Sequence, residues 1–243
     1  MSFVVVIPAR MASTRLPGKP LVSILGKSLI QRTWEQVVKS CPAELVHIVT
    51  DDSGIETHCR AFGAQVTMTP SQCLTGTDRV AAFAAMVKAD TYINVQGDEP
   101  IMNPEDVARV IAAAADYPDE VINGYAPIED EADYRSAGVP KVVFRPDGRL
   151  LYMSRSPVPG NKEGNFREAF RQICVYAFPA SALARFAAVT GKTPLEKQED
   201  IEILRFLELG FEVRMIPLSS DSVPVDHPED VLRVERILHA KRS

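Results

Sequence analysis

Residues 3–7 (FVVVI) are apolar without alternation, the pattern of a parallel strand buried on both faces. A polar stretch broken by Pro and Gly, residues 8–18, follows as a loop, and the next periodic segment predicts a helix over 29–40. Strand and helix then alternate: strand 45–50, helix 54–62, strand 65–68, an Ala-rich helix 79–89, strand 92–95 and helix 104–115. This rhythm predicts an α/β fold with a doubly wound, mostly parallel sheet. In such sheets ligands bind outside the carboxyl ends of the strands. Polar clusters follow three of those ends, at 8–19, at Asp51-Asp52 and at Gln96-Gly97-Asp98-Glu99-Pro100.

The pattern changes near residue 121. Strands are predicted at 121–127, 140–144, 150–154 and 172–178, with a Pro146-Asp147-Gly148 turn between two of them. The expectation is β-hairpin structure added to the main sheet, a β-rich lobe of about 125–190 within a single domain spanning 1–243. Residues 156–170 are polar and rich in Gly and Pro, so a mobile loop is expected there. A helix at 200–209, a strand at 212–217 and a helix at 228–241 complete the pattern, and there is no internal repeat.

The composition is that of a globular protein with a substantial core, 46% hydrophobic and 24% charged over 243 residues. A net charge of −5 argues against general nucleic-acid binding, while leaving room for a local basic pocket. Cys41, Cys59, Cys73 and Cys174 form no C-x-x-C pair and no Cys/His cluster, so reduced thiols are expected. The N-terminus has no basic leader before its short apolar run, and no apolar run approaches the roughly 20 residues needed to span a bilayer. A cytoplasmic protein without membrane insertion is the expectation.

Several clusters could carry chemistry. The loop P-A-R-M-A-S-T-R-L-P-G-K-P places Arg10, Arg15 and Lys19 close together in an otherwise acidic chain, with Gly18 allowing close backbone approach. It is either a phosphate cradle or a solvated basic loop; it matches neither a P-loop nor G-x-G-x-x-G. Thr75-Gly76-Thr77-Asp78-Arg79 is either a helix cap, through Thr77 or Asp78, or a set of free amides for a base or phosphate. Asp98 in Q-G-D-E-P is either a Mg²⁺ ligand at a strand end or a turn residue. Pro228 suits the first helical position, which makes His227 the nominal cap and leaves Asp226 outside the helix, free to face a pocket. His227, without a second histidine nearby, reads as a surface residue. The acids at 196–202 read as a helix N-terminus.

Taken together, these segments resemble the 3-deoxy-manno-octulosonate (Kdo) cytidylyltransferases. The resemblance rests on V-I-P-A-R-x-x-S-T-R-L-P-G-K-P-L at 6–21, T-D-D at 50–52, T-G-T-D-R at 75–79 and N-V-Q-G-D-E-P at 94–100. It continues through K-V-V at 141–143, L-Y-M-S-R at 151–155, Val175-Tyr176, Leu204-Arg205 and V-D-x-P-E-D at 225–230, so it covers essentially the whole chain.

The resemblance implies a Mg²⁺-dependent nucleotidyltransferase that moves CMP from CTP to the anomeric hydroxyl of an acidic sugar, releases pyrophosphate, works as a homodimer and serves lipopolysaccharide or capsule synthesis. Carried over by motif, Arg10, Arg15 and Lys19 hold phosphates; Ala9, Gly76, Thr77 and Arg79 line the nucleotide pocket; and Gln96 lies between nucleotide and sugar. Asp98 and Asp226 hold Mg²⁺, with Lys19, Asp98 and Arg10 as the catalytic set. Gln96, Lys141, Arg155, Gln172, Tyr176, Glu199 and Glu202 serve the sugar, Lys141 and Arg155 facing its carboxylate. Three segments depart from the family pattern. Gln172-Ile173-Cys174-Val175-Tyr176 stands for His-x-Gly-x-Tyr, Ile203 for the Gln of Glu-Gln-Leu-Arg, and Val158-Pro159-Gly160-Asn161-Lys162 for Ile-Pro-Trp-x-Arg. All three fall on the sugar or dimer side. They open 8-amino-Kdo or another ulosonic or sialic-type acid as alternative acceptors. A uridylyl- or guanylyltransferase and a non-catalytic nucleotide-binding protein are the remaining readings.

Overall fold

A computed structural model describes residues 1–240. In chain order its strands are β1 (Phe3–Pro8), β2 (Ser23–Ile24), β3 (Lys27–Ser28), β4 (Val46–Thr50), β5 (Gln65–Met68), β6 (Thr91–Val95), β7 (Val121–Pro127), β8 (Lys141–Phe144), β9 (Leu150–Ser154), β10 (Phe170–Pro179) and β11 (Val213–Pro217). The α-helices are α1 (Leu29–Val37), α2 (Ser53–Ala61), α3 (Gly76–Met86), α4 (Pro104–Asp116), α5 (Glu131–Arg135), α6 (Ala180–Ala187), α7 (Pro194–Glu199), α8 (Ile203–Glu208) and α9 (Pro228–Ala240). The last residue of the helix predicted at 228–241, Lys241, lies outside the described residues.

The main sheet runs in the order β11-β7-β10-β6-β1-β4-β5. β1 pairs in parallel with β4 and β6, β4 with β5, and β11 with β7, while β10 alone runs antiparallel between β6 and β7. The α/β class and the mostly parallel sheet are therefore as expected. Val5, Ile7, Ile48, Ile93 and Val95 pack on one face with Val37 of α1, Ile55 of α2 and Val107 of α4. Val4, Val6, Tyr92 and Phe178 pack on the other with Phe83 of α3, Phe186 of α6 and Phe206 of α8. Burial on both faces is why β1 needs an unbroken apolar run.

The middle strands divide in two. β8 and β9 form an antiparallel hairpin attached at the edge through β8 and the start of β10. β7 and β10 instead lie inside the main sheet, because the apolar run from Val175 to Pro179 is buried and fills the gap between β6 and β7. The Pro146-Asp147-Gly148 turn is present, with Gly148 at φ +86° and its N–H donating to the Arg145 carbonyl at 2.8 Å. The segment 156–169 is irregular and is held by α5: the Tyr134 hydroxyl donates to the Pro159 carbonyl at 3.0 Å and Arg135 to that of Gly164 at 2.9 Å.

The helix predicted at 200–209 starts only at Ile203, as α8, and a break at 200–202 separates it from α7. Asp200 takes a left-handed conformation, φ +53°, where non-glycine residues are uncommon. Arg155 accounts for the break, since Nε donates to the Glu199 carbonyl at 2.6 Å and Nη2 to the Asp200 carbonyl at 2.9 Å. Those carbonyls are thereby withdrawn from helical bonding.

Candidate active site

A cleft of about 790 Å³ opens over the carboxyl ends of β1 and β6, large enough for a nucleoside triphosphate. It is assembled from the loop after β1, the N-terminus of α3, the turn after β6, the α7–α8 wall and the segment before α9. Ala9, Arg10, Arg15, Lys19, Gly76, Arg79, Gln96, Asp98, Glu202 and Asp226 all line it. Thr77 sits just behind, buried, with its N–H donating to Glu202 Oε2 at 2.8 Å.

Gly97 fixes how closely the β1 and β6 ends approach. A Cβ there would stand 2.6 Å from the Pro8 carbonyl oxygen, so glycine is required by proximity alone. The turn thereby presents Asp98 to the first loop. Lys19 begins a short 3-10 turn after Gly18, whose φ of +67° bends the chain back toward the sheet. Its Nζ bridges the two predicted metal carboxylates, at 2.6 Å from Asp98 Oδ2 and 3.0 Å from Asp226 Oδ1. Burial on its own would lower the ammonium's pKa, but Asp98 and Asp226 outweigh it and raise the value. Arg15 adds a second cation on Asp226, at 2.9 Å. Arg10 is exposed on the cleft wall and makes no ion pair among the described residues, which leaves its charge for a ligand.

The N-terminus of α3 is capped by Thr75 rather than by Thr77 or Asp78. Thr75 Oγ1 takes the Asp78 N–H at 3.2 Å and the Asp78 carboxylate returns to the Thr75 N–H at 2.9 Å, a capping box. Arg79, one residue on, is buried and held by Thr69 Oγ1 at 2.6 Å and Asp51 at 3.2 Å. The α7–α8 wall is locked on through Arg205, which is 1% exposed. Arg205 makes two bonds to the buried Glu196, at 2.6 and 2.7 Å, lies 3.7 Å over the Phe186 ring, and reaches Asp78 at 3.4 Å. Ahead of α9, the Asp230 carboxylate accepts the N–H groups of Asp226 and His227, leaving the Asp226 side chain free for the cleft and His227 exposed.

The expected sugar residues do not all converge on this cleft; Lys141, Arg155, Gln172, Tyr176 and Glu199 lie outside its lining. Lys141 is fully buried, with Nζ donating to the carbonyls of Ser136 at 2.8 Å and Arg155 at 2.6 Å, and burial followed by the Arg155 charge lowers its pKa. Glu199 binds Tyr152, Ser154 and the Arg155 N–H, which outweigh burial and hold its carboxyl below the usual range. Gln172 donates to Asn123 Oδ1 at 3.0 Å. Tyr176 is buried on β10 beside Cys174, whose thiol is pushed up to about 12 by burial and then by the Glu99 charge. Burial also raises the Glu202 carboxyl, against the opposing Thr77 bonds. Lys192 and Asp200 line the cleft and are paired with each other. Sequence reasoning missed them because no motif marks Lys192, and the turn at Asp200 exists only once Arg155 is in place.

Asp98 and Asp226 suit Mg²⁺. One ammonium spans both carboxylates, so one small cation fits between them. Among the described residues there is no group of three or more His, Cys, Asp or Glu that could hold a metal. Mg²⁺ is commonly held by one or two carboxylates plus phosphate oxygens and water, whereas Zn²⁺ needs a fuller protein set. Among the described residues no helix is long and apolar enough to cross a membrane.

Comparison with known proteins agrees with this geometry. The family model described as Cytidylyltransferase matches residues 4–215. A 3-deoxy-manno-octulosonate cytidylyltransferase of Protochlamydia amoebophila (strain UWE25) is 36% identical over 241 residues, covering 96% of this chain and 93% of the relative. One of Chlorobium limicola (strain DSM 245 / NBRC 103803 / 6330) is 39% identical, covering 98% of both. A solved structure of CMP:2-keto-3-deoxy-manno-octonic acid synthetase complexed with CTP superposes with a TM-score of 0.92 at 32% identity, covering 99% of this chain and 100% of that one. The chain belongs to the cytidylyltransferase family.

Proposed function

We propose that the protein transfers CMP from CTP to the anomeric hydroxyl of 3-deoxy-manno-octulosonate and releases pyrophosphate. The observation that carries this reading is the Lys19 bridge between Asp98 and Asp226 under the cationic loop of Arg10 and Arg15. A cleft with two carboxylates and three cations suits a triphosphate bound with a metal ion. The likeness to relatives that act on this sugar supports the choice of acceptor.

In the reaction the anomeric oxygen forms a bond to the α-phosphorus, the bond from that phosphorus to the bridging oxygen of the β-phosphate breaks, and the hydroxyl proton passes to solvent water. Arg10, Arg15 and Lys19 orient the phosphates and neutralise charge on the leaving pyrophosphate; no covalent protein nucleophile is needed. Asp98 and Asp226 would hold Mg²⁺, which supplies Lewis-acid stabilisation of the phosphate oxygens. Gln96 lines the cleft beside Gly76, where it would lie between nucleotide and sugar. Lys141 and Arg155 shape the sugar side by holding the Ser136 and Glu199–Asp200 carbonyls.

A second acceptor, the 8-amino analogue, is favoured by one feature. The Glu202 carboxylate lines the cleft and has no cation paired with it among the described residues. We further propose a homodimer formed through the 125–190 region, where the β8–β9 hairpin leaves Leu151 56% exposed. The test is pyrophosphate release with CTP, UTP, GTP or ATP against Kdo, 8-amino-Kdo and a sialic acid. Release with CTP and an ulosonic acid is expected, and absence of release with every acid overturns the proposal. Light scattering on a sizing column tests the dimer, which a monomer at micromolar concentration contradicts.

A further inference from the structure

Asp226 reaches the cleft on an irregular strap, residues 218–227, between β11 and α9. Its position is set by side chains and carbonyls from elsewhere. Asp106, in the first turn of α4 and 1% exposed, accepts the Ser219 N–H on both carboxylate oxygens at 3.1 Å, and the Ser219 hydroxyl as well. Arg171 donates to the Ser220 carbonyl at 3.0 Å. Glu99, 4% exposed, accepts the hydroxyl of the buried Ser222. The Val225 N–H donates to the carbonyl of Asp98 at 2.9 Å.

Glu99 is the conspicuous member of this set. It adjoins Asp98 in sequence, it is buried in a place where an apolar side chain would cost less, and no ion pair is made to it among the described residues. Among the described residues, the hydrogen bond its carboxylate accepts comes from the strap. A single residue thus ties the turn that bears one cleft carboxylate to the strap that bears the other. The Val225–Asp98 backbone bond closes the same junction from the far side.

We propose that Glu99, through Ser222, is a positioning residue that holds Asp226 against Asp98 at the spacing one cation can span. This rests on the reading of Asp98 and Asp226 as the cation-holding pair. Groups that orient metal ligands from behind typically account for about 10- to 100-fold in metal affinity or activity.

The experiment measures Mn²⁺ binding by electron paramagnetic resonance on the full-length protein with a non-hydrolysable CTP analogue, alongside the Mg²⁺ dependence of kcat and KM for CTP. Ser222→Ala removes only the hydroxyl. It is expected to weaken Mn²⁺ by about tenfold and to raise the Mg²⁺ concentration for half-maximal rate in step, with KM for CTP at saturating Mg²⁺ changed less than about threefold. Glu99→Gln, which keeps an acceptor oxygen in place, is expected to stay within about threefold of wild type, whereas Glu99→Ala behaves like Ser222→Ala. Should Glu99→Ala fail to fold, Ser222→Ala carries the test by itself. Wild-type Mn²⁺ affinity in a folded Ser222→Ala protein overturns the positioning role, while the parent reading stands. Absence of Mn²⁺ binding in the wild-type protein with the CTP analogue overturns the parent reading and this inference with it.

Discussion

Lys19→Met separates ground-state from transition-state use of the central cation. In the structure the ammonium neutralises Asp98 at 2.6 Å and Asp226 at 3.0 Å, with 17% of its side chain exposed. At about 3 Å and an effective dielectric near 20, each contact has a gross attraction of about 5 kcal/mol. Access of water to the carboxylates reduces the net value to about 1 kcal/mol for each pair. The substitution therefore leaves two carboxylates facing each other with only Arg15 nearby, and a divalent ion gains what the lysine loses. Without nucleotide, the variant is expected to bind Mn²⁺ more tightly than wild type, by about 1–2 kcal/mol or about 5- to 30-fold. The chemistry moves the other way. A preorganised cation removed from developing phosphate charge costs about 3–4 kcal/mol, so kcat falls by about 10²–10³. Mn²⁺ titration by electron paramagnetic resonance and steady-state pyrophosphate release read the two effects independently. A variant with unchanged kcat and unchanged metal affinity would refute the reasoning; a raised KM with normal kcat would assign Lys19 to binding alone.

Three further outcomes follow from other parts of the fold. Arg205→Met strands the buried Glu196 and is expected to cost about 3–5 kcal/mol in urea unfolding, most of it regained when Glu196→Leu is added. Gly97→Ala places a Cβ 2.6 Å from the Pro8 carbonyl, so Asp98 must shift; kcat is expected to fall at least tenfold with a stability loss of about 1–3 kcal/mol, measured by kinetics and melting. Burial lowers the His47 pKa below 6.5, and Nδ1 has no partner among the described residues. The unfolded chain takes up a proton there that the folded one refuses, so this stability is present above about pH 6.5 and is lost as pH falls below it. His47→Phe is expected to reduce the drop in melting temperature between pH 7.5 and 5.5, and an identical pH profile contradicts the assignment.

The nucleotide side was legible in the sequence because it is local. Arg10, Arg15 and Lys19 share one loop, Gly76 and Arg79 one helix start, and Asp98 sits in the turn after a strand whose apolar run announces it. Even Asp226 could be placed in the pocket, since Pro228 put it outside the helix. The sugar side was less legible because its geometry depends on long-range contacts. Lys141 looks like a free cation in K-V-V, yet it is consumed by the carbonyls of Ser136 and Arg155. The acids at 196–202 read as one helix start; in the fold Glu196 is a buried partner of Arg205, Glu199 a clamp on β9, and Glu202 a cleft residue. β7 and β10 were recognised as strands but not as the interior of the sheet, because no local pattern encodes which strand is a neighbour. Glu99 and Ser222, each bland alone, gain meaning only from their contact.

CTP labelled in the α-phosphate, or in the γ-phosphate, and supplied with Kdo and Mg²⁺ shows whether CMP, rather than phosphate or pyrophosphate, passes to the acidic sugar. The expected result is α-label in a sugar nucleotide and γ-label in pyrophosphate, both lost in Asp98→Ala. Label from the γ-phosphate on the sugar, or CTP left intact with every ulosonic acid supplied, would contradict it.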